Sequence, residues 1–346
     1  VSVPAKIRKL DTFEKDIISF IVEWISGKES FDLKTSGSTG QPKIITIHRD
    51  QMIASAEKTL KYLKITSRGK ALLCLHPNYI AGLMMIVRSI VGKMDLYVLS
   101  PSSNPLKRDD ILFEFDIASF VPYQVSEIIS DAQSRSYFKG IKNVLIGGAD
   151  ISADLINKIS SYENNIYQTF GMTETVSHIG LKRLSGKAKS DFYEVLEGIE
   201  IDTDDRDCLT VKGSITGNKR IVTNDQVELL DSHRFHWKGR IDQVINTGGI
   251  TIYIDDLETR IQDILSENDI SNSFFVAGMD DSKLGEKIIL FVEKSNKAII
   301  EEDILAVLRK YLQKYEIPKK IYIVQQFILL PTGKINRKAN LERLVF

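Results

Sequence analysis

The chain has 346 residues, 46 basic and 46 acidic side chains and no net formal charge. That balance argues against a nucleic-acid partner, which asks for a basic face, and against an acidic solvating tail. Apolar residues make up 43%, but no apolar run approaches the ~20 residues of a membrane span.

Cys74 and Cys208 cannot form a disulfide framework or a four-thiolate zinc site, and Val1-Ser2-Val3-Pro4 does not read as a signal peptide. A soluble, reduced, cytoplasmic protein is therefore expected, with a large and a small domain. Asp11 and Glu14 are spaced as a capping box. They open a helix with Ile17, Ile18, Phe20, Ile21, Trp24 and Ile25 on one face, stopped by Gly27. After residue 70, short apolar runs read as buried strands over 70–75, 96–100, 117–121 and 143–146. Between them 80–91, 108–115 and 125–132 read as helices. Such alternation predicts an α/β sheet with helices on its faces. From about residue 178 to 241, strands over 192–196, 199–203, 209–212, 222–230 and 234–237 predict a β-rich subdomain. From 242 to 346, helices over 254–265 and 301–312 alternate with strands over 274–277, 287–292 and 320–324. This is a small α+β domain.

The strongest local signal is Thr35-Ser36-Gly37-Ser38-Thr39-Gly40-Gln41-Pro42-Lys43. Small hydroxyl and glycine residues expose backbone N–H groups to a polyphosphate, and Lys43 adds a charge. The stretch does not fit the P-loop spacing, and its composition alone equally fits a flexible surface loop. Five further segments follow in order. They are Gly147-Gly148-Ala149, Tyr167-Gln168-Thr169-Phe170-Gly171-Met172-Thr173-Glu174-Thr175, Thr223-Asn224-Asp225, Gly239-Arg240-Ile241-Asp242 with Gly248-Gly249, and Pro331-Thr332-Gly333-Lys334-Ile335-Asn336-Arg337.

Together these segments resemble the ordered signatures of the adenylate-forming superfamily, which holds acyl-CoA synthetases, luciferases and peptide-synthetase adenylation domains. The resemblance implies ATP, Mg²⁺ and CoA as co-substrates and a small carboxylic acid as partner. Residues 35–40 and Lys43 would hold the phosphates. Phe170 would stack on adenine, with Gly147, Gly148, Ala149 and Gly171 giving close backbone approach. Thr173 would reach the α-phosphate and Glu174 would ligate Mg²⁺. Asp225 and Arg240 would bind the ribose. Lys334 would offset charge as carboxylate meets phosphate. Asp242 matches the hinge of a mobile C-terminal domain, and Gly248 and Gly249 would line the thiol tunnel.

Two departures stand out. Relatives carry a longer region before the phosphate loop, so the first subdomain would be largely missing here. Aligned on Gly82, Tyr79 rather than His76 occupies the position of the family's acid-gating histidine. Size and Gly248–Tyr253 look most like the compact o-succinylbenzoate–CoA ligases of menaquinone synthesis. That acid has two carboxylates and a ring. Tyr79 and the start of the 80–91 helix would wall the ring, and Ser177, His178 or backbone near Gly82 would meet the second carboxylate. Other readings are an adenylation enzyme that loads a carrier protein, another aryl- or acyl-CoA ligase, and a nucleotide-binding regulator without catalysis. Nothing in the sequence indicates the oligomeric state.

Overall fold

The structure is a computed structural model that describes residues 10–34, 44–66, 68–109, 114–149, 151–268, 270, 272–294, 300–329 and 335–345. An eleven-stranded sheet dominates it. Five strands run parallel in the spatial order Asp95–Val98, Lys70–Leu73, Ile117–Phe120, Asn143–Ile146 and Asn165–Met172. Ser177–Arg183 then turns back antiparallel on Asn165–Met172. Tyr193–Val195, Arg234–Arg240, Ile221–Asp231, Cys208–Gly213 and Ile199–Thr203 continue antiparallel to the far edge. The expected β-rich stretch exists, and it extends the parallel strands in one sheet without a break.

The strands alternate into two cores. Ala71 and Leu73 face helices Thr12–Ile25, Arg49–Tyr62 and Ile80–Val91. Leu72 and Cys74 face Pro122–Ser130, Ala132–Gly140 and Ala153–Ser160. Burial on both faces is why the parallel strands read as continuous apolar runs. Cys74 is fully buried, as its apolar setting implies.

Three expectations change. Asp11 and Glu14 do form the capping box, but the first helix buries only Phe13, Ile17, Phe20 and Trp24, leaving Ile18, Val22 and Ile25 exposed. The expected 108–115 helix is absent from its described residues, of which Phe115 gives its carbonyl to Lys142 and leads straight into the next strand. The 125–132 helix breaks at Asp131, whose carboxylate caps a second helix at the Ser134 N–H.

Residues after 243 build a second sheet. Ile250–Tyr253, Val244–Thr247, Gly285–Glu293 and Phe274–Asp281 lie side by side, and Lys320–Val324 adds in parallel to Gly285–Glu293. Ile254–Glu267 and Glu301–Tyr311 cover one face. Leu341, from Arg337–Val345, packs in a separate cluster with Phe275, Phe291 and Phe327. The two sheets meet at Tyr253. Its hydroxyl donates to Gln226, and its ring lies against Gly239, where a Cβ would come within 3.1 Å.

Candidate active site

In open α/β sheets a crevice forms at the carboxyl ends of the parallel strands, where the strand pattern switches. Here the ends of 143–146 and 165–172 deliver Gly147, Gly148 and Ala149 and then Gly171, Met172, Thr173 and Glu174. Thr173–Thr175 is a single 3-10 turn. The Thr175 hydroxyl holds it closed, accepting from Met172 N–H at 3.0 Å and lying 2.9 Å from the Ser177 carbonyl. Val176 and Ser177 then take φ of 51° and 85°, conformations a β-branched residue rarely adopts. Burial of Val176 and the hydrogen bonds of Thr175 hold this strained backbone in place. A side chain at Gly171 would strike the Ser177 carbonyl at 2.2 Å, so the bulge bringing the two strands together requires glycine.

Phe170 is half-buried. It meets Tyr193 at 5.4 Å and Phe235 edge-on at 5.1 Å, so core packing fixes its ring at the sheet switch. Two residues beyond Phe235, the Trp237 indole N–H donates to Asp225 Oδ1 at 3.0 Å. The Arg240 guanidinium lies 3.9 Å from Asp225 Oδ2 and grips Asp242 with two bonds of 2.9 and 2.8 Å. The bonds to Asp242 keep the Arg240 pKa above its ordinary value. Burial works to raise the Asp242 pKa, but the hydrogen bond and charge of Arg240 outweigh it and hold it low. The residues expected at ribose and hinge are thus linked through one guanidinium.

The phosphate stretch Thr35–Lys43 and Lys334 lie outside the described residues. Their flanks are described. Lys34 pairs with Ile44 across an antiparallel hairpin, and Ile44–His48 runs beside Thr173–Thr175. Leu329 bridges to Ile335 on either side of Lys334. Gly248 and Gly249, with φ of 60° and 81°, form the two-residue turn of the 244–253 hairpin, a conformation that favours glycine in its own right. A Cβ on Gly249 would meet open space. Tyr79 is exposed at the head of the Ile80–Val91 helix. A Cβ on Gly82 would strike the His76 carbonyl at 2.4 Å, so Gly82 seats that helix on the 75–76 backbone.

Sequence reasoning missed Arg88. It is 1% exposed, and among the described residues no carboxylate is seen to pair with it. Its NH2 lies 3.1 Å from Ser177 Oγ and 3.5 Å from His178 Nδ1, NH1 reaches Met85 Sδ, and Nε has no partner among the described residues. Burial pulls its pKa down to about 9. The only signal was one arginine inside the apolar run Leu83–Val91.

His178 is held well below its ordinary pKa, first by burial and then by the charge of Arg88. The unfolded chain takes up this proton near pH ~6.5 and the folded chain does not. The resulting stability is present above that pH and is lost as pH falls below it, at up to about 1.4 kcal/mol per unit. The urea midpoint should therefore drop between pH 7 and 5.5, and the drop should be shallower in His178→Gln. Equal slopes in the two proteins would mean that His178 protonates freely in the fold.

A family model described as AMP-binding enzyme matches residues 34–234. The 2-succinylbenzoate–CoA ligase of Listeria monocytogenes serotype 4b is 26% identical over 343 residues, covering 92% of this chain and 71% of that one. The same-named enzyme of Staphylococcus epidermidis ATCC 12228 is also 26% identical, covering 88% and 68%. Among solved structures, an acyl-CoA synthetase (AMP-forming)/AMP-acid ligase II-like protein from Dyadobacter fermentans is 38% identical. It covers 98% of this chain and 96% of its own, with a TM-score of 0.65. The o-succinylbenzoate CoA synthetase of Bacillus subtilis, bound to its acyl-adenylate, shares the fold at a TM-score of 0.74 and 21% identity, covering 89% and 68%.

Proposed function

The chain belongs to the AMP-binding enzyme family, and on that premise we propose that it joins a carboxylic acid to coenzyme A through an acyl-adenylate, with o-succinylbenzoate as the acid. In the first step a carboxylate oxygen attacks the α-phosphorus of ATP and the bond to pyrophosphate breaks. In the second, the CoA sulfur attacks the acyl carbon, AMP leaves with the bonding electrons, and the thiol proton passes to solvent. Both co-substrates are plentiful in the cytoplasm, which is where we put the reaction.

The geometry supports these roles. Phe170, braced by Tyr193 and Phe235, offers a ring face to adenine, and Gly147–Ala149 bring backbone beside it. Asp225, its carboxylate oriented by Trp237, would accept from the ribose hydroxyls, and Arg240 would donate to them. Thr173 and Glu174 sit on a turn that Thr175 fixes, Glu174 exposed. A lone exposed carboxylate beside phosphate oxygens suits Mg²⁺, which takes few protein ligands. Glu174 would hold the ion, whose charge neutralises the phosphates.

The choice of acid is carried by Arg88. A buried cation without a carboxylate partner costs free energy that an anionic ligand recovers. It lies against Ser177, next to the strained turn that carries Thr173 and Glu174. A ligand with one carboxylate at the α-phosphate and a second at Arg88 and Ser177 satisfies both ends, with Tyr79 as a wall for its ring. The curated relatives are named for such an acid. Pyrophosphate release, measured with a panel of acids with and without CoA, tests this. The expected result is fastest turnover of o-succinylbenzoate. Faster turnover of octanoate or acetate would overturn the choice of acid, and no release with any acid would overturn the ligase reading.

A further inference from the structure

We propose that Thr59 is a positioning residue of the acid site, fixing His178 in its Nε2–H form so that only lone pairs face Arg88. The inference rests on reading Arg88 as the anchor of the second carboxylate.

Thr59 and Ser55 lie one turn apart on the helix Arg49–Tyr62, and both are buried. Ser55 Oγ donates to the Val176 carbonyl at 2.7 Å. Thr59 Oγ1 lies 3.0 Å from His178 Nε2. One helical turn therefore grips the chain on both sides of Ser177, where φ is 85°.

The proton arithmetic sets the direction of each bond. A threonine hydroxyl has one proton. Thr59 sends it to the Ser55 carbonyl at 3.0 Å and accepts from His178, because Nδ1 faces the Arg88 N–H and the hydrogen of the neutral ring therefore sits on Nε2. Nδ1 of the neutral ring is then a bare acceptor. That lone pair faces Arg88 NH2 at 3.5 Å and Ser177 Oγ at 3.4 Å. Ser177 Oγ accepts from Arg88 at 3.1 Å and can pass its own proton to Nδ1. In the other tautomer Nδ1–H would point at a guanidinium N–H, and Ser177 would lose its acceptor. Arg88 would then be pushed from the position in which it meets an anion. Among the described residues no hydrogen bond joins Thr59 to Arg88, so Thr59 would act through the ring.

The test uses the full chain with Thr59→Val, which keeps the shape and removes the hydroxyl, and Thr59→Ser, which keeps the hydroxyl. Two readouts are taken. Nitrogen NMR of ¹⁵N-histidine-labelled protein, with His178→Gln to assign the ring, reports the tautomer. Steady-state kinetics compare o-succinylbenzoate with 3-benzoylpropionate, which lacks the second carboxylate. In Thr59→Val, His178 should leave the Nε2–H form. KM for o-succinylbenzoate should rise about 5- to 10-fold, the worth of one lost buried hydrogen bond. Its kcat and the KM for 3-benzoylpropionate should stay within about twofold, as for lost ground-state binding. Thr59→Ser should restore both readouts. Retention of the Nε2–H form in Thr59→Val overturns the positioning role. Loss of that form with equal KM changes for the two acids, or none, overturns instead the reading of Arg88 on which the inference depends.

Discussion

Arg88→Met should stabilise the fold and disable the acid site at the same time. A guanidinium that is 1% exposed and that, among the described residues, leaves Nε without a partner and bonds only a serine, a histidine and a thioether has lost its water without gaining a counter-charge there. Apolar side chains of similar volume that replace buried ion pairs are neutral to stabilising by about 1–4 kcal/mol. Among the described residues Arg88 has no compensating carboxylate, so a rise in melting temperature is expected. The methionine would extend an apolar surface already built by Met84, Met85 and Ile86. The acid meets the opposite effect. Removing the cation under a desolvated carboxylate costs about 2–4 kcal/mol, or roughly 30- to 1,000-fold in KM for o-succinylbenzoate. Activation of an acid with a single carboxylate should survive. Melting curves and acid saturation curves on one preparation check both signs. A lower melting temperature with unchanged KM would make Arg88 a structural residue.

Arg88 also shows where sequence reading stops. Within Leu83–Val91 it looked only like a break in an apolar run, because what gives this helical residue meaning lies on a strand distant in sequence. Ser177 and His178 are 89 and 90 residues away in sequence. Local signals fared better. The Asp11–Glu14 capping box and the buried parallel strands depend on neighbours in the chain, and both are present. Helix Arg49–Tyr62 was missed because it is polar overall and buries a narrow strip of Met52, Ser55, Ala56, Thr59 and Leu60. The single continuous sheet was hidden for a different reason. Whether Ser177–Arg183 begins a new sheet or extends the old one is decided by pairing with Asn165–Met172, and strand periodicity is the same either way. Phe170 was legible as a motif residue, but its bracing by Tyr193 and Phe235 was not. Gly248 and Gly249 were marked as glycines needed for access, and the hairpin gives a second reason for glycine there.

Lys334→Ala should reduce acyl-adenylate formation by at least about 100-fold, the scale of losing one preorganised charge contact on a developing anion, roughly 3 kcal/mol. Thioester formation from supplied acyl-adenylate should change by less than about threefold, because a group that acts on one barrier leaves the other in place. The described residues on either side of position 334 are well tied down. Leu329 bridges to Ile335, and Asn336 N–H bonds the Ile328 carbonyl at 2.9 Å. The Asn340 side chain takes the Ile328 N–H at 3.0 Å and gives to its carbonyl at 2.9 Å. Arg337 then forks onto both oxygens of Glu258 at 2.8 and 2.6 Å and reaches the Val276 carbonyl at 3.0 Å. The charge matters because the attacking carboxylate and the α-phosphate are both anions, and their approach is opposed until a cation lies between them. In the second half-reaction the leaving group is AMP and the nucleophile a thiol, so the same lysine has no comparable anion pair to separate. Pyrophosphate release and thioester yield, followed on wild type and variant with the same acid, separate the two steps. Equal loss in both would mean that Lys334 serves the fold or the general binding of nucleotide, and that the division of labour between the half-reactions is wrong.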